Sequence, residues 1–175
     1  MKQFFIFSLL LFTTIFHASA QYEALIKHDA RILVDATIKE DYNTVIKYTY
    51  PALVTAAGGN EKLLISVKQS MAELKRNNMT ITGGELGEPG PLIRANNELY
   101  SLLSEKVIIK VKGGTVSAKS SILAISKDKG KSWYFMDIGS LDSKTMNTLF
   151  PGVEKQLNIP LPSAPVFVAD SGNKN

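Results

Sequence analysis

The stretch EKVIIKVKGGTVSAKSSILAISK, residues 105–127, decides the fold of this chain because it alternates like a β-hairpin. Lysines and one further isoleucine occupy the positions around Val107, Ile109 and Val111, so one strand face is apolar and the other is mostly charged. The pair Gly113-Gly114 suits a tight turn, and an apolar-rich segment completes the stretch. The pattern predicts two long antiparallel strands joined by a short turn.

Further strands are predicted on both sides of this hairpin. Residues 79–87 and 98–103 precede it, and residues 131–138 follow it after a second turn. A short helix is predicted over 142–150, and residues 166–168 are a candidate edge strand. The sequence therefore predicts a sheet built mainly from neighbouring antiparallel strands.

Before the strands, the apolar residues take the period of an amphipathic helix. Helical stretches are predicted over 25–40, 42–57 and 61–76. Asp41 is a predicted N-cap of the second stretch, and Asn60 is a predicted N-cap of the third. Helices followed by antiparallel strands predict an α+β domain with the helices packed on one face of a curved sheet.

The order of these elements resembles a known superfamily. An amphipathic first helix leads into Lys39-Glu40-Asp41-Tyr42, a second ends at Gly58-Gly59, and a third precedes a curled meander. This order is similar to that of the nuclear transport factor 2-like superfamily, which includes ketosteroid isomerases and polyketide cyclases. Over residues 21–158 the resemblance implies a cone-shaped domain, a pocket between sheet and helices, and dimerisation through the sheet. Enzymes and binding proteins share this architecture, so the resemblance leaves the function open.

The first residues have the pattern of a secretion signal. Lys2 precedes an apolar run over 4–16, and the small residues at 18–20 suit cleavage by a signal peptidase. The run is too short for a permanent membrane anchor. We therefore expect residues 1–20 to be removed before Gln21 and the protein to be exported, into a periplasm or the medium.

Composition restricts what the remaining chain can do. It is expected to form one domain over 21–159 and a proline-containing tail over 160–175. The chain has no cysteine, which excludes thiol nucleophiles, thiolate metal sites and disulfides. Without Lys2, 19 basic and 16 acidic residues leave a formal net charge of +3, which is too small to indicate a nucleic-acid partner. No stretch after the signal is long and apolar enough to span a membrane.

One local motif is sharp. Residues 126–133, SKDKGKSW, fit the pattern S-x-D-x-G-x-x-W and resemble the Asp-box hairpin of sialidases and related β-propellers. A propeller repeats the motif, whereas this chain carries one copy. The motif is therefore interpreted as a device that stabilises a turn, with a glycan-binding role as the alternative.

Five residues are candidates for lining a ligand pocket: Asp29, Tyr48, Trp133, Phe135 and Asp137. Asp29 lies at the margin of the apolar stripe of the first helix. Asp137 alternates with Trp133 and Phe135, so all three side chains are expected to point inward together. The aromatic residues are candidates because their rings offer apolar area and polar donors.

Two roles are open for each of the two aspartates, Asp29 and Asp137. An acidic residue in an apolar pocket can have a raised pKa and act as a general base, as in ketosteroid isomerase-like sites. Alternatively, Asp29 lies at a helix edge and Asp137 caps the turn at 139–140. A histidine as the catalytic base is less favoured, since His28 falls on the polar face of its helix. No catalytic residue, metal ligand or cofactor is assigned.

Three functions remain open at this stage. The leading hypothesis is an exported module that binds a small apolar-to-amphipathic molecule or a protein partner, without catalysis. The first alternative is a small pocket enzyme, an isomerase, cyclase or hydrolase, that uses Asp29 or Asp137 as its base. The second is a structural envelope protein that associates through its sheet, and a homodimer is an open option. Both pocket hypotheses require Trp133 and Phe135 to point inward.

Overall fold

The computed structural model describes residues 3–139, 141–161 and 163–170, with side chains described from residue 20 onward. Four helices come first: α1 (Gln3–Ile38), α2 (Tyr42–Tyr48), α3 (Pro51–Ala56) and α4 (Asn60–Arg76). Five strands follow: β1 (Thr80–Leu86), β2 (Ile93–Ala95), β3 (Glu98–Val111), β4 (Gly114–Ser126) and β5 (Tyr134–Asp137). The chain then forms α5 (Ser143–Leu149), a 3-10 turn (Glu154–Gln156) and β6 (Val166–Ala169).

The six strands form one open antiparallel sheet, which confirms the α+β class. The main order is β1-β3-β4-β5, with β2 beside the start of β3 and β6 beside the start of β4. The β3–β4 hairpin is paired from Leu99↔Ser126 to Val111↔Gly114, so the predicted long hairpin is confirmed. The strands predicted over 98–103 and 105–112 are in fact one continuous strand, β3.

Local chemistry explains where the helices begin. Asp41 is the N-cap of α2, and its Oδ1 accepts a hydrogen bond from Thr44 N at 3.3 Å. Pro51 starts α3, where a missing N–H has no consequence. The prediction for α4 is wrong: Asn60 is its first helical residue, and Gly59, with φ of 100°, is the N-cap. The positive φ suits a glycine without a side-chain cap.

Strand β4 lies at the centre of the molecule because both of its faces are covered over 121–126. Successive side chains point to opposite faces of the sheet. Ile122 belongs to a cluster on the α1 side, which contains Ile26, Ala30, Leu99, Leu103, Ala124, Trp133 and Phe135. Leu123 belongs to a cluster on the α5 side, which contains Tyr50, Ile93, Tyr100, Ile125, Met136, Ile138, Met146, Phe150 and Val153.

The helices therefore cover both faces of the sheet, not one face as the sequence analysis expected. Helix α1 packs on one face, while Met146 of α5 and Phe150, the residue that follows this helix, pack on the other. The junction of α2 and α3 closes the β5 edge, where Tyr50 N donates to Phe135 O at 3.0 Å. Trp133 is buried, as the alternation predicts. The covered second face explains why Met136 is buried as well.

The two ends of the chain are only partly described. The candidate edge strand is confirmed as β6, which pairs with Gly114 to Ser117 of β4 and exposes its valines and phenylalanine. Residues 171–175, and the side chains of the predicted signal up to residue 19, lie outside the description. Among the described residues, no helix combines the length and apolar character needed to cross a membrane.

Candidate functional site

A cavity of about 240 Å³ lies between α1, α2 and the sheet. Its walls are mostly aliphatic and aromatic, and they include Val34, Val45, Val107, Ile122 and Phe135. Ligand pockets commonly measure about 300–1,000 Å³, so this cavity lies just below that range and suits a molecule smaller than most drugs. An apolar cavity between a helix layer and a sheet is the kind of place where a ligand binds.

A second depression is larger but less suitable. It measures about 650 Å³, lies among α2, α3 and α4, and opens widely to solvent. Its walls include the exposed Lys47 and Glu61. We favour the smaller cavity because its walls are more apolar and can bury more of the hydrocarbon surface of a ligand for their size.

Glu105 stands at the inner wall of the smaller cavity. It shares the face of β3 with Val107, toward α1. Its carboxyl makes no hydrogen bond with any described residue. A Cβ on Gly84, in the adjacent strand, would lie 3.6 Å from Glu105 Oε1 and 2.7 Å from Val34 Cγ1. The missing side chain at Gly84 therefore lets α1 and the carboxyl approach β1 closely.

The environment changes the ionisation of this carboxyl. Burial, followed by the nearby charge of Asp137, raises the pKa of Glu105 from 4.5 to about 7. Burial disfavours the charged form, and a second carboxylate adds repulsion. Glu105 therefore changes its charge near neutral pH.

Asp137 is the other carboxylate of the cavity, and it lies at the exposed mouth. Its Oδ1 accepts hydrogen bonds from Ser120 Oγ at 2.7 Å and from Gly139 N at 2.8 Å. The second bond is the turn cap that was one of its two predicted roles. Its other carboxylate oxygen makes no hydrogen bond within the described part of the chain.

Of the five predicted site residues, the structure brings Phe135 and Asp137 to the cavity and leaves three outside its lining. Asp29 is half-buried, with Oδ1 3.1 Å from His28 Nδ1. The ring of Tyr48 packs on that of Phe135 at a centroid distance of 6.5 Å. Burial, and then the charge of Asp29, raises the pKa of Tyr48.

Trp133 belongs to the core beneath the hairpin. Its ring meets the edge of Tyr22 at a centroid distance of 6.4 Å and an interplanar angle of 71°. Its Nε1 is buried with no hydrogen-bond partner among the described residues. Tyr22 also covers Gly130, where a Cβ would meet the ring at 2.2 Å. The indole therefore supports the packing of the hairpin and does not contact the cavity.

In the turn with the Asp-box-like pattern, residues 126–133, the side chains of Ser126, Asp128 and Ser132 bond to groups of the turn itself. Asp128 Oδ1 accepts from Lys131 N at 3.1 Å and from Ser132 N at 3.0 Å, while Ser126 Oγ accepts from Gly130 N at 2.8 Å. Burial alone would raise the pKa of Asp128, but hydrogen bonds from Ser132, Ser126 and Lys131 outweigh it and lower the pKa to about 2. Each polar group serves the turn, which supports the structural interpretation.

A further carboxylate on β3, Glu98, is fully paired. Its Oε2 accepts from Tyr100 Oη at 2.6 Å and from Tyr50 Oη at 3.3 Å, and Lys127 Nζ lies 3.6 Å from Oε1. Burial, then interactions with Glu98, raises the pKa values of both tyrosines. No lining residue of a described cavity belongs to this group.

Glu105 was not among the site residues predicted from the sequence, although its position in the strand pattern is a signal. Glu105 has the same parity as Val107, Ile109 and Val111, so it is an acidic residue on the apolar face of a strand. A charged residue on a buried face is the informative exception to the usual distribution. The strand pattern alone could therefore have identified it.

Comparisons with protein-family models, with curated proteins and with solved structures find no match to this chain. A function must therefore be inferred from the cavity itself. Within the described residues, no group of three or more His, Cys, Asp or Glu side chains could hold a metal ion. The features available are the apolar walls, Glu105 and Asp137.

Proposed function

We propose that this chain is an exported domain that binds a small apolar-to-amphipathic molecule in the cavity between α1, α2 and the sheet. The carboxyl of Glu105, which faces an apolar cavity without a hydrogen-bond partner, is the observation that carries this proposal. A few polar groups on apolar walls are what orient a ligand in most binding pockets. The volume of about 240 Å³ suits a small molecule better than a protein segment.

The proposed architecture is the cone of the nuclear transport factor 2-like superfamily. Three features support it: the helices precede the sheet, β3 and β4 form a long hairpin, and the cavity lies between helices and sheet. Export is part of the same proposal and is supported by the charged, apolar and small-residue regions over 1–20.

Proton-transfer catalysis is the second candidate function. A base with a pKa near 7 suits proton abstraction at neutral pH, and Glu105 has such a value. However, an enzyme of this kind also needs a donor that faces the reacting oxygen. The hydroxyls of Thr37 and Thr49 donate to carbonyls of their own helices, at 2.9 and 2.8 Å, and Tyr48 lies outside the lining. Binding is therefore better supported than catalysis.

The proposal is tested by filling the cavity. Val45→Phe places a ring among the cavity walls, whereas Val166→Phe adds the same ring on the exposed strand β6. The probe is cyclohexylmethylamine or its uncharged analogue cyclohexylmethanol, titrated calorimetrically into protein purified from its own host. We expect at least one probe to bind the wild type and Val166→Phe, and to bind Val45→Phe at least about tenfold more weakly.

Two outcomes would contradict the proposal. If neither probe binds, and native mass spectrometry of the purified protein shows no small-molecule adduct, the binding function is wrong. Equal binding to Val45→Phe and Val166→Phe would place the ligand elsewhere. Export is checked separately by intact mass, since secreted protein that retains residues 1–20 contradicts it.

A further inference from the structure

We infer that the molecule bound in this cavity carries a protonated amine, held between the carboxylates of Glu105 and Asp137. This inference rests on the proposed binding function and deepens it by naming the chemical class of the ligand. The apolar walls would take the hydrocarbon part of such an amine, and the two acidic side chains would take its charge.

The charge of the cavity is one-sided. Its two ionisable lining residues, Glu105 and Asp137, are both acidic, and no described lining residue is Lys, Arg or His. Outside the lining, Arg31 on α1 donates from Nη1 to the carbonyl of the lining residue Gly84 at 3.1 Å. Arg31 is exposed and outside the lining, and Asp137 is the charged group that shifts the pKa of Glu105.

The sheet register places both carboxyls around one position. Glu105 is paired with Ser120 across β3 and β4, and Ser120 Oγ donates to Asp137 Oδ1 at 2.7 Å. Glu105 and Asp137 therefore flank Ser120 on the α1 side of the sheet. An ammonium group has three N–H donors, which match the unpaired oxygens of these two side chains.

The energetics favour a cation over a neutral or an anionic ligand. A buried carboxylate without a partner loses the stabilisation that water would give it. An ammonium group would restore that stabilisation through charge-assisted hydrogen bonds, whereas an alcohol would restore less and a carboxylate would be repelled. Ca²⁺ takes about six to eight oxygen ligands and Mg²⁺ keeps several waters, so both suit a wetter site than one with these apolar walls. The apolar walls also favour an organic cation, because they bury hydrocarbon.

The ligand class is tested with three probes of similar shape: cyclohexylmethylamine, cyclohexylmethanol and cyclohexanecarboxylate. Titrated at pH 8 into protein purified from its own host, the amine should bind about tenfold or more tightly than the alcohol. The carboxylate should show no binding. The advantage of the amine should disappear in Glu105→Gln and in Asp137→Asn.

A matched variant controls for the loss of negative charge. Glu73→Gln, on the exposed surface of α4, should keep the full preference for the amine. Thermal unfolding of each variant shows whether it is folded. If a cavity variant does not fold, the pH dependence of the wild type provides a second measurement, because Glu105 must be ionised to pair with the amine.

The charge of Asp137, in the sheet, adds to burial in raising the pKa of Glu105, and Arg31 on α1 donates to Gly84 O in the neighbouring strand. We expect the amine to bind the wild type about tenfold more weakly at pH 6 than at pH 8, since a smaller fraction of Glu105 is then ionised. The alcohol should show no such change.

The outcomes separate this inference from the function on which it rests. Equal binding of amine and alcohol, each abolished by Val45→Phe, would overturn the amine class and keep the binding function. A preference for the carboxylate, or amine binding that Glu105→Gln leaves unchanged, would also overturn the inference. Failure of all three probes, with no native adduct, would overturn both proposals.

Discussion

Two glutamates on strand β3 differ in how their carboxyls are paired. Glu98, near the start of the strand, accepts hydrogen bonds from two tyrosine hydroxyls and lies near Lys127. Glu105, seven positions along the strand and on its other face, makes no hydrogen bond with a described residue and faces a cavity. The same side chain is therefore integrated into the core at one position and left available at the other.

The difference indicates which carboxyl serves the fold and which serves a ligand. Buried polar groups are almost always paired, because an unpaired one is destabilising. A paired group such as Glu98 needs no further explanation. An unpaired carboxyl on the wall of an apolar cavity, as at Glu105, is a candidate for contact with a ligand. The comparison can be tested by removing each carboxyl in turn.

The largest expected effect comes from Glu98→Ala. This substitution leaves the hydroxyls of Tyr50 and Tyr100 without their acceptor, and each buried hydroxyl loses about 1–3 kcal/mol of stabilisation. We expect the free energy of unfolding to fall by about 3 kcal/mol in chemical denaturation. Glu105→Ala, made in the same strand, should change it by about 1 kcal/mol or less near neutral pH.

A reversed order would break the comparison. If Glu105→Ala destabilises the protein more than Glu98→Ala, then Glu105 has a structural role and the cavity argument loses its basis. Tyr100→Phe removes one of the two hydroxyl donors to Glu98. Its free energy of unfolding should therefore fall by less than that of Glu98→Ala.

A smaller effect is expected from pH. Because the pKa of Glu105 is raised from 4.5 to about 7, its folded form holds a proton that the unfolded chain has released. Its contribution to stability is therefore complete below pH 4.5 and is lost as the pH rises through 7. The difference corresponds to roughly 3 kcal/mol, which solvent in the cavity reduces to about 2 kcal/mol.

The measurement is the free energy of unfolding of wild type and Glu105→Gln at several pH values. The wild type should lose about 2 kcal/mol relative to the variant between pH 4.5 and pH 8. A constant difference over this range would show that the carboxyl titrates normally. Glu73→Gln, on the surface of α4, should follow the wild type throughout.

The smallest effect concerns a carboxylate that is paired but exposed. The hydrogen bonds that lower the pKa of Asp128 from 3.8 to about 2 contribute stability above pH 3.8, and this is lost as the pH falls toward 2. Because Asp128 is exposed, screening limits the contribution to about 1 kcal/mol or less. Asp128→Asn should therefore be destabilised only slightly at pH 7 and should match the wild type at pH 2.

Asp128 extends the comparison to the surface. We expect the exposed Asp128 to contribute less than Glu98. A larger loss of stability in Asp128→Asn than in Glu98→Ala would contradict this expectation. Lys129→Ala, in the same turn, removes a charge without touching the hydrogen bonds and serves as the control.

Much of the sheet was predictable because its pattern is local. The alternation around Val107 and the glycines at 113–114 predict the β3–β4 hairpin that the structure contains. The short strand β2 (Ile93–Ala95) was missed because three residues carry too little periodicity to be recognised. The cap at Asn60 was misplaced by one residue, since the positive φ at Gly59 is not visible in a side-chain pattern.

The face of the sheet that each helix covers and the lining of the cavity could not be predicted, because both depend on contacts between residues far apart in the sequence. The sequence predicted a helix over 142–150 but not the face on which it lies, because an amphipathic period does not specify which surface it covers. Phe135 and Asp137 were named from their parity, whereas Glu105 was overlooked despite the same kind of signal. Asp29, Tyr48 and Trp133 lie outside the lining. Which side chains reach the space between α1, α2 and the sheet depends on contacts between elements that are far apart in the sequence.

The burial of β4 on both faces has a consequence for assays in which the natural ligand is unknown. Its residues 122–125 are bonded to β3 and β5, so their amides should take up deuterium only when the whole domain opens. Strand β6 is exposed, so its amides should exchange through local fraying. A molecule that settles next to Ile122 would slow exchange in β4 and leave β6 unchanged. Deuterium uptake would therefore report an occupied cavity without a label on the molecule inside it.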